Sequence, residues 1–72
     1  MKATVEEFNK KKVNEFPKLM IASDSGLVVL FTKESTGMVV KESPYHNIGY
    51  YTTSWDMRFF TDLYGTVTLE ND

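Results

Sequence analysis

The sequence of 72 residues contains no cysteine and only one histidine, His46. Without cysteine, disulfides and thiolate metal sites are excluded, and one histidine falls short of what a histidine-based zinc site needs within one subunit. A domain of this length buries only about 60% of the surface that its unfolded chain exposes. A well-packed core or oligomerisation therefore has to supply the stability that disulfides and metals give other small proteins.

Long apolar runs are also lacking. The longest, Leu27 to Phe31, has the length of a strand, whereas a membrane span needs about 20 apolar residues. The first seven residues do not resemble a signal peptide. Together with the lack of cysteine, these features predict a single soluble domain, residues 1–72, in the cytoplasm.

The charge is small and unevenly distributed. The net charge is -2, but residues 1–18 contain five lysines and three glutamates, whereas residues 19–72 contain three basic and seven acidic side chains. A nucleic-acid surface needs a dense basic patch, so this distribution disfavours one.

Residues 4–16 have the pattern of a helix. Thr4 and Glu7 have the spacing of a capping box, and Glu6 lies four residues before Lys10, the order that favours an ion pair on a helix. One helical stripe would hold all the apolar side chains of this segment: Val5, Phe8, Val13 and Phe16. Pro17 would then end the helix.

The rest of the chain has the pattern of antiparallel strands. Five strands are predicted, at 18–23, 27–32, 38–42, 48–55 and 66–70. Gly26 and Gly37 are expected to take positive φ in hairpin turns. Residues 56–64 fit either a short helix capped by Asp56 or an irregular crossover.

These elements predict a mainly β fold, with an N-terminal helix followed by a small five-stranded antiparallel SH3-like barrel. An open, curled sheet with the helix packed across it is the alternative. Residues 19–22 and 27–31 are apolar on both faces of their strands, so a second layer has to cover the sheet. The helix stripe is expected to do so, or else a second subunit.

No catalytic, cofactor-binding or metal-binding motif is recognisable. His46 has no acid at a recognisable motif spacing and is interpreted as a solvated loop residue. Asp56 and Asp62 flank an aromatic pair and could form an acid/base pair or bind a cation, but both positions are also ordinary for a helix cap and a turn. The sequence therefore favours a protein that is not an enzyme and needs no cofactor.

Aromatic side chains are concentrated between residues 45 and 64. Trp55, Phe59 and Phe60 are assigned to the core. Tyr45 in a loop, and Tyr50 and Tyr51 in the adjoining strand, fit either the core or an exposed surface. These three tyrosines are the predicted partner-binding residues, together with Arg58, which follows closely enough in sequence to lie at the same end of a small barrel. Because side chains alternate along a strand, only one of Tyr50 and Tyr51 should contact a partner.

Residues 25–32, 48–50, 54–55 and 65–69, together with Asn71, resemble small uncharacterised proteins of tailed bacteriophages, and the resemblance extends over residues 17–71. The resemblance implies an accessory protein that binds and inhibits a host protein in the bacterial cytoplasm. It transfers no functional residue. A barrel that binds single-stranded nucleic acid and a homodimeric structural or assembly protein are the alternative functions.

Overall fold

The computed structural model describes residues 1–7 and 15–72, which form seven β-strands and one turn of 3-10 helix. The strands are β1 (Lys2–Glu7), β2 (Lys18–Ala22), β3 (Leu27–Lys33), β4 (Thr36–Lys41), β5 (Tyr51–Thr52), β6 (Thr61–Asp62) and β7 (Gly65–Glu70), and the 3-10 turn is Met57–Phe59. The prediction of a mainly β fold is confirmed. None of the described residues lies in a helix that is long and apolar enough to cross a membrane.

The strands form two separate sheets. Five of them make an antiparallel sheet in the order β5-β4-β3-β2-β6, and β1 pairs with β7 in an antiparallel ribbon. The edge strands β5 and β6 are not paired with each other, so the described part of the chain does not close into the predicted barrel. An open sheet covered by a second layer, the alternative expectation, is closer to the structure, although the layer is not a helix.

The central sheet is apolar on both faces because β2 and β3 alternate between two hydrophobic clusters. Met20 lies opposite Val29, which lies opposite Val39, and these side chains belong to the first face. Leu19 opposite Leu30 belongs to the second face. Since adjacent side chains of a strand point in opposite directions, one uninterrupted apolar run supplies both clusters.

The predicted helix over residues 4–16 is wrong where the structure describes it. Residues 4–7 belong to strand β1, and residues 15–17 bend without forming a helix. The ribbon places Val5 opposite Val67 and packs both against the second cluster of the central sheet. Pairing with a strand 60 residues further along the chain therefore outweighs a capping box and ion pairs that contribute only tenths of a kcal/mol each.

The side chains of the predicted helical stripe do not share one face. Val5 covers the second face of the sheet, as predicted, although from a strand. Phe16 packs against the cluster on the first face instead. Phe8 and Val13 lie outside the described residues.

One of the two hairpin turns uses the predicted glycine, and the other uses a different residue. Gly26 has a φ of 76°, as expected, whereas Gly37 lies inside β4 and the positive φ of that turn, 62°, belongs to Ser35. Gly37 is needed for space, because a Cβ atom there would overlap the carbonyl oxygen of Leu30 and lie 2.9 Å from the Cα of Phe31. The predicted strand 48–55 shrinks to β5, since Gly49, with a φ of 98°, interrupts the extended backbone before it.

We expect Gly37→Ala to destabilise the protein by about 3 kcal/mol, because the added methyl group has to push β3 away from β4. Gly26→Ala is the matched control. It adds the same methyl group into open space and should cost only about 1 kcal/mol, from backbone strain. Urea unfolding monitored by tryptophan fluorescence measures both, and equal losses would contradict the steric role of Gly37.

A second pair of variants tests how the ribbon packs. Val67→Asp places a carboxylate against the second cluster, whereas Thr68→Asp places it on the exposed side of the same strand. The cost of an aspartate in a strand is common to both variants, so the difference between them reports burial. We expect Val67→Asp to lose about 2 kcal/mol more than Thr68→Asp. Similar unfolding midpoints for the two variants would show that the ribbon does not cover this face.

Candidate functional site: an aromatic cleft

Trp55 is the fixed centre of the first face. Its indole Nε1 donates a hydrogen bond to the carbonyl oxygen of Gly37 at 2.9 Å, and its backbone N–H donates to the carbonyl of Ser35 at 3.0 Å. The ring meets Phe31 and Phe60 edge to face, with centroids 6.4 and 5.7 Å away. Trp55 is buried, and both its indole N–H and its backbone N–H are hydrogen-bonded. It therefore forms a rigid floor for the site.

The loop after β4 places two more rings on that floor. The His46 ring lies 5.2 Å from the rings of both Trp55 and Tyr50, and Tyr50 meets Trp55 edge to face at 5.8 Å. Two backbone hydrogen bonds between Ser43 and His46 close the loop. His46 is therefore half-buried against two aromatic rings, and its interpretation as a solvated loop residue is wrong.

The 3-10 turn forms the other side of the site. The carboxylate of Asp56 caps it by accepting a hydrogen bond from the backbone N–H of Arg58 at 3.1 Å. The guanidinium of Arg58 donates two more to the same carboxylate, at 3.0 and 2.7 Å. These bonds, first of all the one from the Arg58 side chain, hold the pKa of Asp56 below that of an ordinary aspartate.

Phe59 and Phe60 have opposite environments. Phe60 is buried in the first cluster, as predicted, but Phe59 is 62% exposed, so its assignment to the core is wrong. The 3-10 turn that Asp56 caps ends at Phe59, and the extended backbone at Phe60 sends the next side chain inward. The sequence alone does not indicate which of these two neighbouring phenylalanines is buried and which is exposed.

Between the loop and the turn lies a half-open depression with a volume of about 310 Å³, which we call the aromatic cleft. Its rings are Tyr45, His46, Trp55, Phe59 and Phe60. Among the described residues, its charged side chains are Asp24, from the β2–β3 turn, and Asp56, and no lysine or arginine of this part of the chain lines it. The cleft is thus aromatic in its walls and acidic at its charged positions.

The structure brings together three of the four predicted partner-binding residues. Tyr45, 84% exposed, lines the cleft, Tyr50 packs on its His46–Trp55 wall, and Arg58 lies at its rim through the ion pair with Asp56. Tyr51 lies elsewhere. It pairs with Met38, which pairs with Leu30 on the second face.

The two carboxylates that were considered as an acid/base pair have separate partners. Asp56 is bound to Arg58, whereas the Oδ1 of Asp62 lies 2.9 Å from the Nζ of Lys18. Both members of the second pair are largely buried, and their contact is an ion pair without hydrogen-bond geometry at the carboxylate. Among the described residues, no group of three His, Cys, Asp or Glu side chains could hold a metal ion.

Comparisons with protein-family models, with curated proteins and with solved structures gave no match to this chain. The site is therefore interpreted from its own geometry.

We expect His46→Ala to destabilise the protein by about 1 kcal/mol, because it removes the ring that packs against Trp55 and Tyr50. Asn47→Ala is the control, since it shortens the neighbouring exposed side chain in the same loop and should change stability by less than about 0.5 kcal/mol. Thermal unfolding followed by circular dichroism compares the two. A His46→Ala variant as stable as Asn47→Ala would mean that the histidine does not support the cleft.

Proposed function

We propose that this chain is a non-enzymatic protein-binding module and that the aromatic cleft is its contact surface. Following the phage resemblance, the partner would be a host protein of the bacterial cytoplasm, which the bound module inhibits. One observation carries the proposal. Tyr45 and Phe59, with 84% and 62% of their surface exposed, stand beside a rigid floor made by the buried Trp55.

Two large aromatic side chains exposed to water forgo the free energy that their burial would supply. A partner that covers them would supply it on binding. Protein interfaces concentrate tyrosine, tryptophan and phenylalanine at their centres, where truncating one ring can cost 2 kcal/mol or more of binding free energy. An aromatic ring also loses little conformational entropy on binding, since it has only two side-chain torsions. The proposal gives Tyr45 and Phe59 this role, with Tyr50 supporting the wall and Arg58 contacting the partner at the rim.

Nucleic-acid binding is less well supported by the same residues. Base stacking would use the aromatic rings, but it needs basic side chains to hold the phosphates. The charged side chains that line the cleft, Asp24 and Asp56, are both acidic. Arg58, the nearest cation in the site, is already bound to Asp56.

A second groove, with a volume of about 560 Å³, lies at the second face beside Met1, Met38 and Leu69. It is the larger of the two, and the exposed Met38 and Leu69 would suit a homodimer interface. However, no aromatic ring of the described residues lines it, and its carboxylate, Glu42, is bound to Lys41 at 2.7 Å. The aromatic cleft has more of the side chains that dominate binding energies, so we assign the function to it.

We expect Tyr45→Ala and Phe59→Ala each to weaken capture of a host protein from bacterial lysate by at least about 30-fold while leaving the fold intact. Both side chains are exposed, so their truncation should hardly change the melting temperature. Capture is measured with immobilised protein and quantitative mass spectrometry, and folding by circular dichroism.

Tyr51→Ala is the matched control, because it truncates another exposed tyrosine, on the opposite face. It should retain the captured protein. If Tyr51→Ala loses the partner and the two cleft variants keep it, the contact surface lies on the second face and the proposal fails.

A further inference from the structure

We propose that the aromatic cleft binds a linear, proline-flanked segment of the partner through one cationic side chain, an arginine or lysine, which pairs with Asp24. This inference rests on the proposed function and specifies the chemistry of the partner. It is argued from the charge of the cleft, from its rings and from its size.

The charge of the cleft is unbalanced at one position. Of its two carboxylates, Asp56 already holds the guanidinium of Arg58, whereas Asp24 has no ion-pair partner among the described residues. Asp24 is exposed in the turn between β2 and β3, where two backbone hydrogen bonds to the carbonyl of Ala22 fix the chain. A carboxylate that has no ion-pair partner among the described residues and lies beside an apolar wall favours a cation and repels a phosphate.

The rings of the cleft favour the same ligand. A cation over the face of a tryptophan or tyrosine is attracted by the negative face of the ring, and the interaction strengthens as water is excluded. Trp55 and Tyr45 line the cleft together with Asp24. A guanidinium or ammonium group entering there would meet aromatic rings and a carboxylate in the same depression.

The size and openness of the cleft favour an extended segment over a small molecule. Its volume of about 310 Å³ is at the lower end of the range of ligand pockets, and it is open along one side. Such a depression accommodates one or two side chains of a longer chain. Proline-rich segments dock on aromatic grooves of this kind because their extended conformation is already formed before binding.

Two fluorescein-labelled peptides test the inference. Both are proline-rich decapeptides, and they differ at one central position, which is arginine in the first and citrulline in the second. Citrulline keeps the shape of arginine without its charge. By fluorescence anisotropy, we expect the wild-type protein to bind the arginine peptide about three to five times more tightly, the range of a partly exposed ion pair.

The variant Asp24→Asn should remove this preference and leave the affinity for the citrulline peptide unchanged. Glu70→Gln is the control, because it removes the same charge from an exposed residue of the β1–β7 ribbon, and it should keep the preference. Equal binding of the two peptides by the wild-type protein, or a preference that persists in Asp24→Asn, overturns the inference. So does the absence of binding to either peptide.

Two other occupants would give different results. A second copy of this chain in the cleft would produce a dimer in sedimentation experiments that Asp24→Asn weakens. Single-stranded nucleic acid would produce binding to oligo(dT) that Tyr45→Ala abolishes. Either result overturns the inference.

The outcome is also separable from that of the proposed function. If the peptides show no Asp24-dependent preference but Tyr45→Ala and Phe59→Ala still lose the captured host protein, the cleft is the interface and only the cationic segment is wrong. If those two variants keep the host protein, the proposed function fails as well.

Discussion

The hairpin of β2 and β3 imposes the constraint on which the rest of the structure depends, because it is apolar on both faces. Val28 and Val29 are neighbours in sequence, point to opposite sides of the sheet and are both fully buried. A sheet with two dry faces needs a covering layer on each. In a chain of 72 residues without disulfides, the segments before and after the hairpin have to provide both layers.

The two layers are built differently, and this difference places the candidate site. The second face is covered by the β1–β7 ribbon. The regular alternation of its two strands places polar side chains on the outer side. The first face is covered by irregular backbone on either side of β5, residues 43–50 and 53–60, which contacts the sheet through Trp55 and Phe60. Irregular backbone can turn neighbouring side chains to opposite environments, so the same segment supplies core rings such as Phe60 and exposed rings such as Phe59.

Sequence reasoning found those features that depend on neighbouring residues. Strands β2 and β3 follow from their short apolar runs, β7 from local alternation and the turn at Gly26 from turn chemistry, and they were predicted. The N-terminal helix was wrong over residues 4–7 because the competing partner of β1 is β7, far along the sequence. The role of Gly37 was missed for a similar reason, since its crowding comes from the backbone of β3 and not from its own turn. In the site, Tyr45 was predicted as a contact residue from its loop, whereas nothing local places Asp24 in the same cleft as Trp55.

The backbone of the aromatic cleft is already held in place before a partner binds, and this would allow a small protein to bind tightly through few residues. Ordering loops and side chains during association costs free energy, and that cost is lower when the site is already formed. Here the indole of Trp55 is bonded to the backbone of β4, the loop after β4 is closed by hydrogen bonds between Ser43 and His46, and the 3-10 turn is capped by Asp56. Each wall of the cleft is therefore tied to the central sheet or closed on itself. The covering layer that stabilises the fold also forms the cleft, so a substitution that loosens Trp55 should weaken binding and folding together. Tyr45 and Phe59 are exposed, so their substitution should weaken binding without weakening folding.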